Sequence, residues 1–298
     1  MFQGICTAIS TPFSNGKIDY KSLENLINFQ LTNDIDAICP CGTTGEIATL
    51  SDEEYTQVVS SVVKNVNGKA FVLAGVGGNN TAKVIENCKK AEDLGVNGIL
   101  AVAPYYNKPS QDGLYAHFEA VARSTKLPIM LYNVPARTVT DISDETIVKL
   151  AKIDNIVALK DATGLLERTA LLRAKLINAG ISLEKFKIYS GDDVTALGFI
   201  AMGAVGLISV ASNIIPKECA DMVKLALSGD FAKARQLQDK YAILFDSMFI
   251  DTNPAPVKYC LAKMGIMKNE LRLPLVEISA EKSKILDEIL KDVKIYAK

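Results

Sequence analysis

The run Ile156-Val157-Ala158-Leu159-Lys160-Asp161-Ala162-Thr163-Gly164 decides how this chain is read. Four apolar residues, two of them β-branched, lead into one lysine and then a small polar turn. An apolar run of this length, closed by turn residues, reads as a fully buried strand of a parallel sheet. A lysine at the last buried position of such a strand loses hydration, and desolvation favours the neutral amine that carbonyl chemistry needs. Free lysine is unprotonated in only about one molecule in 10³ at neutral pH. The alternatives are that Lys160 sits one residue too late to be buried, or simply pairs with Asp161. The rest of the chain decides.

Outward from this run, similar stretches recur at 4–10, 37–42, 71–77, 98–104, 128–135, 186–193 and 204–211. Most begin about thirty residues after the last, the length of one strand-and-helix unit. Helical signals fall between them. Ser51-Asp52-Glu53-Glu54 has the form of a capping box, Ser143-Asp144-Glu145 puts acids in a first turn, and Gly95 and Gly180 stand where helices close. Eight such units imply a parallel sheet with helices outside it, and eight closes a (β/α)8 TIM barrel of about 250 residues. An open doubly wound sheet would want a glycine-rich phosphate turn after its first strand. Ser10-Thr11-Pro12-Phe13-Ser14-Asn15-Gly16 is not one, and Gly75-Val76-Gly77-Gly78 lacks the third glycine. The expected organisation is an α/β catalytic barrel over 1–230 and a small C-terminal extension of three helices over 231–298.

Composition narrows the function classes. The net charge is -1, from 33 Lys+Arg against 34 Asp+Glu, interleaved along the chain, which argues against nucleic-acid or anionic-membrane partners. Six cysteines without a framework read as reduced thiols of a cytoplasmic protein, and Cys39-Pro40-Cys41 is too tight for the usual zinc spacing. The first residues carry no secretory pattern. Residues 194–216 are free of charge for long enough to raise a membrane span, but Gly198, Gly203, Gly206, Ser209, Ser212 and Asn213 break them, so a buried helix, a turn and a strand are expected. The single histidine, His117, reads as a partly exposed helix residue. Lysine, tyrosine and carboxylates remain as the reactive groups.

Barrel active sites form where strands end at the C-terminal face. The second strand ends in Gly42-Thr43-Thr44-Gly45-Glu46, whose two hydroxyls and free N–H groups suit a carboxylate. The fourth ends in Tyr105-Tyr106-Asn107, two phenols on a loop that equally fit surface packing or an interface. The fifth carries Tyr132, one strand before Lys160 and able to face it, and then Arg137, suited to bidentate capture of a carboxylate. Asp192 and Asp193 end the seventh. Helix N-capping explains them more simply than a divalent metal. Together a buried lysine, a facing phenol, a Thr-Thr turn and an arginine on one rim fit Schiff-base chemistry on an oxoacid.

Gly42-Thr43-Thr44-Gly45-Glu46, Tyr132-Asn133-Val134-Pro135 and Leu159-Lys160-Asp161-Ala162-Thr163-Gly164 resemble the signatures of the dihydrodipicolinate synthase/N-acetylneuraminate lyase family. The resemblance extends through Asn253-Pro254-Ala255-Pro256-Val257-Lys258 and Leu271-Arg272-Leu273-Pro274. Pro135-Ala136-Arg137-Thr138 is similar to the synthase branch, which places an arginine there on the carboxylate of aspartate semialdehyde. The sialic-acid lyases and 2-keto-3-deoxy-sugar-acid aldolases are the alternative within the family. The resemblance implies an imine between Lys160 and pyruvate, with Thr44 and the Ile208 carbonyl on the bound pyruvate. It implies a proton relay of Tyr132, Thr43 and Tyr106, the last reaching from a neighbouring subunit. The enamine then attacks L-aspartate 4-semialdehyde in lysine and diaminopimelate biosynthesis. No metal or organic cofactor is implied, and a homotetramer of tight dimers is. A metal-dependent barrel lyase on Asp192 and Asp193 and a non-catalytic barrel are the remaining readings. In lysine-inhibited relatives the interface site uses a serine, two histidines and a glutamate where Ile47, Asp52, Tyr55 and Lys83 stand here, while Asn79 and Tyr105 fit. Lys83 would repel the ligand's ammonium, so weak or absent inhibition by lysine is expected.

Overall fold

The computed structural model describes residues 1–295, so the last three residues of the expected extension lie outside the described residues. Eight short parallel strands form a closed ring: β1 (Gly4–Ala8), β2 (Ala37–Cys39), β3 (Phe71–Gly75), β4 (Gly98–Val102), β5 (Ile129–Asn133), β6 (Ile156–Asp161), β7 (Lys187–Ser190) and β8 (Gly206–Ser209). Each pairs with its neighbours in chain order, and β8 returns to β1 with Gly4 opposite Gly206 and Cys6 opposite Ile208. The closure is tight. A Cβ at Gly206 would lie 1.9 Å from the Gly4 carbonyl oxygen, so only glycine fits this seam.

Alternation of period two sorts the side chains into two cores. Cys6, Ala37, Cys39, Leu73, Met130 and Ala158 fill the inside of the ring with Tyr132, Tyr189 and Ile208. A larger core of aliphatic and phenylalanine side chains lies between the strands and the surrounding helices. The expected signals operate. Ser51 and Glu54 make both bonds of a capping box at the helix Asp52–Val66, and Ser143 accepts the Thr146 N–H at the start of Asp144–Leu150. Gly95 and Gly180 adopt φ of 79° and 74° just past helix ends. Residues 194–216 resolve into the helix Ala196–Ala201, a turn and β8, and among the described residues no helix is long and apolar enough to cross a membrane. Beyond the barrel lie the helices Phe231–Ser247, Ala255–Lys263 and Ala280–Asp292, with no strand among the described residues.

Candidate active site

In β6 the alternation that buries Ala158 inside the ring sends Lys160 the same way. Lys160 is only 6% exposed. Its Nζ stands 4.0 Å from the centre of the Tyr132 ring, contributed by the register partner on β5, so the phenol face shelters the amine. Gly191, just after β7, makes room for the lysine: a Cβ there would lie 2.9 Å from Lys160 Cε. Asp161 points to the opposite face, where it accepts the Thr163 N–H at 2.8 Å and faces Arg168 Nε at 3.4 Å. The alternatives of an exposed lysine or a simple Lys160–Asp161 pair therefore fall away. Cys39 lines the same cavity, and burial pushes its thiol up to about 12, so it stays a neutral thiol at pH 7.

The Thr43–Thr44 turn follows β2. Cys41 and Glu46, at its two ends, hold left-handed φ values of 56° and 53°, each costing a non-glycine residue about 1 kcal/mol or more. Gly45 is required between them, because a Cβ there would sit 2.9 Å from Cys41 N. Thr44 Oγ1 accepts a hydrogen bond from Asn253 Nδ2 at 3.0 Å, which leaves its own hydrogen for another acceptor. Behind the turn Glu46 forms an ion pair with Lys258, both side chains fully buried, and accepts the Arg272 N–H at 3.3 Å.

After β5, Pro135 opens the one-turn helix Pro135–Thr138, whose fixed φ suits a first helical position and sets Arg137 at the mouth. Lys160, Tyr132, Thr43, Thr44 and Arg137 line one cavity of about 620 Å³. Ile208 lies inside the ring on β8, and Val210, two residues on, reaches the cavity wall. Tyr106 is different. It is 89% exposed, adopts φ of 72°, and is not part of this wall.

The remaining expectations divide. Asp192 accepts the Thr195 N–H and hydroxyl at 3.0 and 2.6 Å, in the manner of a cap. Asp193 is buried and accepts from Ser209 Oγ, Val210 N–H and Ala211 N–H at 2.5 to 3.2 Å, so the protein itself occupies its lone pairs. His117 is a correction: it is buried, not partly exposed. The helix Gln111–Arg123 packs it beneath Thr81, whose hydroxyl is 2.9 Å from Nδ1, and burial lowers its pKa to about 4. Ile47, Asp52, Tyr55, Asn79, Lys83 and Tyr105 do gather around one cleft of about 190 Å³. There Lys83 Nζ meets Asp52 at 2.5 Å and Glu86 at 3.2 Å, which offsets part of its charge.

Sequence reasoning gave no role to Gly191, Asn253 or Lys258. Gly191 stands directly before Asp192 at the end of the seventh strand, and the need for glycine there appears only once the lysine lies across it. Asn253 and Lys258 lie in a segment that the family resemblance reaches, but with no strand end there to point to a role.

The match to known proteins runs through the whole architecture. The family model described as the dihydrodipicolinate synthetase family fits residues 1–293. The chain belongs to this family. A Methanocaldococcus jannaschii member, 4-hydroxy-tetrahydrodipicolinate synthase, is 47% identical over 294 residues, covering 98% of this chain and 99% of that one. The dihydrodipicolinate synthase of Aquifex aeolicus superposes with a TM-score of 0.95 at 43% identity over the full length of both chains. The dihydrodipicolinate synthase of Acinetobacter baumannii, solved in complex with pyruvate, gives a TM-score of 0.95 at 42% identity, covering 99% of this chain and 100% of that one. The family assignment agrees with the closed parallel barrel.

Proposed function

We propose that this chain is a 4-hydroxy-tetrahydrodipicolinate synthase, joining pyruvate to L-aspartate 4-semialdehyde. The observation that carries the reading is a sheltered lysine against a phenol, in a cavity that also holds two threonine hydroxyls and ends at an arginine. The Lys160 amine attacks the pyruvate carbonyl carbon and water leaves, giving an imine whose protonated nitrogen is the electron sink. Thr44 donates its hydroxyl to the bound pyruvate, and the Ile208 carbonyl contacts it from the other side of the ring. Tyr132, Thr43 and Tyr106 carry protons, the last supplied by a neighbouring subunit. Loss of a methyl proton gives the enamine, which attacks the aldehyde carbon while Arg137 holds that substrate's carboxylate. The substrate's own amine then attacks the imine carbon, closes the ring and frees Lys160. Much of the rate comes from holding the reactants in position. Arg137 favours this acceptor over the sugar acids of the lyases. The active form is a homotetramer of tight dimers in the cytoplasm.

Borohydride reduction in the presence of pyruvate, followed by peptide mass mapping, tests the chemistry. A reduced pyruvate adduct on Lys160, absent in Lys160→Ala, is expected. Folded wild-type protein that gives no adduct would overturn the reading.

A further inference from the structure

The turn that carries Thr43 and Thr44 is strained at both ends, and a left-handed Glu46 persists only if its surroundings hold it there. Inside the barrel the Thr11 hydroxyl donates to the Gly45 carbonyl at 2.7 Å and the Glu46 N–H to the Thr43 carbonyl at 3.1 Å, but the Glu46 side chain is held from beyond the barrel. Lys258, in the helix Ala255–Lys263, buries its whole side chain to reach the Glu46 carboxylate, and its Nζ also donates to the Glu270 carbonyl at 2.9 Å. The ring of Phe13 covers this ammonium at 4.0 Å from its centre and carries the Arg272 guanidinium at 4.4 Å. Arg272 donates its backbone N–H to Glu46, and its guanidinium donates to the Thr49 carbonyl at 3.0 Å, so both ends of the segment after the turn are fastened to the extension. Asn253, five residues before Lys258, takes hold of Thr44 Oγ1 from the same side.

A buried ion pair of this kind is a poor way to gain stability, since desolvation offsets most of the attraction and apolar replacements often do as well. Its cost is visible in Lys258, whose pKa burial lowers to about 8 despite the carboxylate beside it. What the pair supplies is geometry: one carboxylate fixed two residues past Thr44. We infer that Lys258, acting through Glu46, is a positioning residue that sets the Thr43 and Thr44 hydroxyls for pyruvate, which makes the C-terminal extension a working part of the active site. The inference rests on the pyruvate reading above.

The test compares wild type, Lys258→Met, Lys258→Arg and the double variant Glu46→Gln/Lys258→Met. Each is measured for melting temperature, borohydride trapping with pyruvate, and KM for each substrate. The expected result is a rise of about tenfold or more in KM for pyruvate in Lys258→Met, with slower trapping and KM for the second substrate near wild type. The double variant, which leaves no unpaired buried charge, recovers the melting temperature but not the pyruvate KM. Lys258→Arg, keeping the charge, recovers part of both. If Lys258→Met does not fold, the double variant decides alone. A double variant with wild-type melting and wild-type pyruvate KM would overturn the inference, as would an unchanged KM in folded Lys258→Met. Wild type that traps no pyruvate would remove the underlying reading and this inference with it.

Discussion

Tyr132 and Lys160 meet because neighbouring parallel strands present register partners to the same side, and there the ring leaves both of them buried. Replacing Tyr132 by Phe keeps the ring that shelters the amine and removes only the hydroxyl. The expected outcome is a fall in kcat of about 10²–10³ with pyruvate still trapped on Lys160, seen by steady-state rates beside mass mapping. Arg137→Met is expected to raise KM for the aldehyde substrate and leave trapping by pyruvate alone unchanged, because the guanidinium stands at the mouth and not beside the amine. These residues were legible for a local reason: each lies at or just past a strand end, and strand ends are visible as the place where apolar runs give way to Gly, Thr, Pro and Asp. Asn253 and Lys258 were not. Asn253 touches a threonine 209 positions earlier, and no periodicity within one chain segment encodes a contact of that range.

At the scale of elements, caps and closing glycines appear where the sequence places them, whereas strand lengths do not. The expected run 186–193 shrinks to Lys187–Ser190 and 204–211 to Gly206–Ser209. Phe186, Ala204 and Ala211 are buried in the core outside the ladder, while Gly191, Asp192 and Val210 line the cavity, so the buried apolar pattern runs on past the hydrogen-bonded strand. The helix Asp52–Val66 is also joined to the tail: Arg272 holds the Glu54 carboxylate with two bonds of 2.7 and 2.5 Å. This pairing lowers Glu54 from its usual 4.5 to about 2. A depressed carboxylate adds stability above its unfolded pKa and loses it as pH falls, here between about 4.5 and 2. Glu54 is 26% exposed in its side chain, so screening keeps the gain to about 3 kcal/mol at most. His117 works at higher pH. The unfolded chain takes up its proton below about 6.5 and the folded one resists until about 4, so stability falls across that window too. Glu54→Gln is expected to flatten only the lower window in melting curves recorded from pH 7 to 2.

For the whole molecule, the proposed relay requires a second chain, since Tyr106 is exposed and lies off the wall of its own chain's cavity. If the phenol works in a neighbour's cavity, inactive Tyr106→Phe and Lys160→Ala proteins should regain activity when mixed and allowed to exchange subunits, because the hybrid contains one intact site. Activity that stays absent after exchange, shown by native mass spectrometry, would place the relay within one chain. In the second cleft, the ion pairs of Lys83 with Asp52 and Glu86 leave its ammonium partly offset but still occupying the space, and Ile47 offers no hydrogen bond. Submillimolar L-lysine is therefore expected to leave the initial rate above half its uninhibited value.

The glycine seam between β1 and β8 also has a meaning in time. The first and last strands of the ring are separated by most of the chain, so ring closure waits on translation. At synthesis rates of about 5–20 residues per second, a nascent chain holds β1 for roughly 10–40 s before β8 is made. Throughout that interval the growing sheet carries two raw edges, each able to pair with a passing strand. The chain is safest from aggregation once Gly206 has left the ribosome.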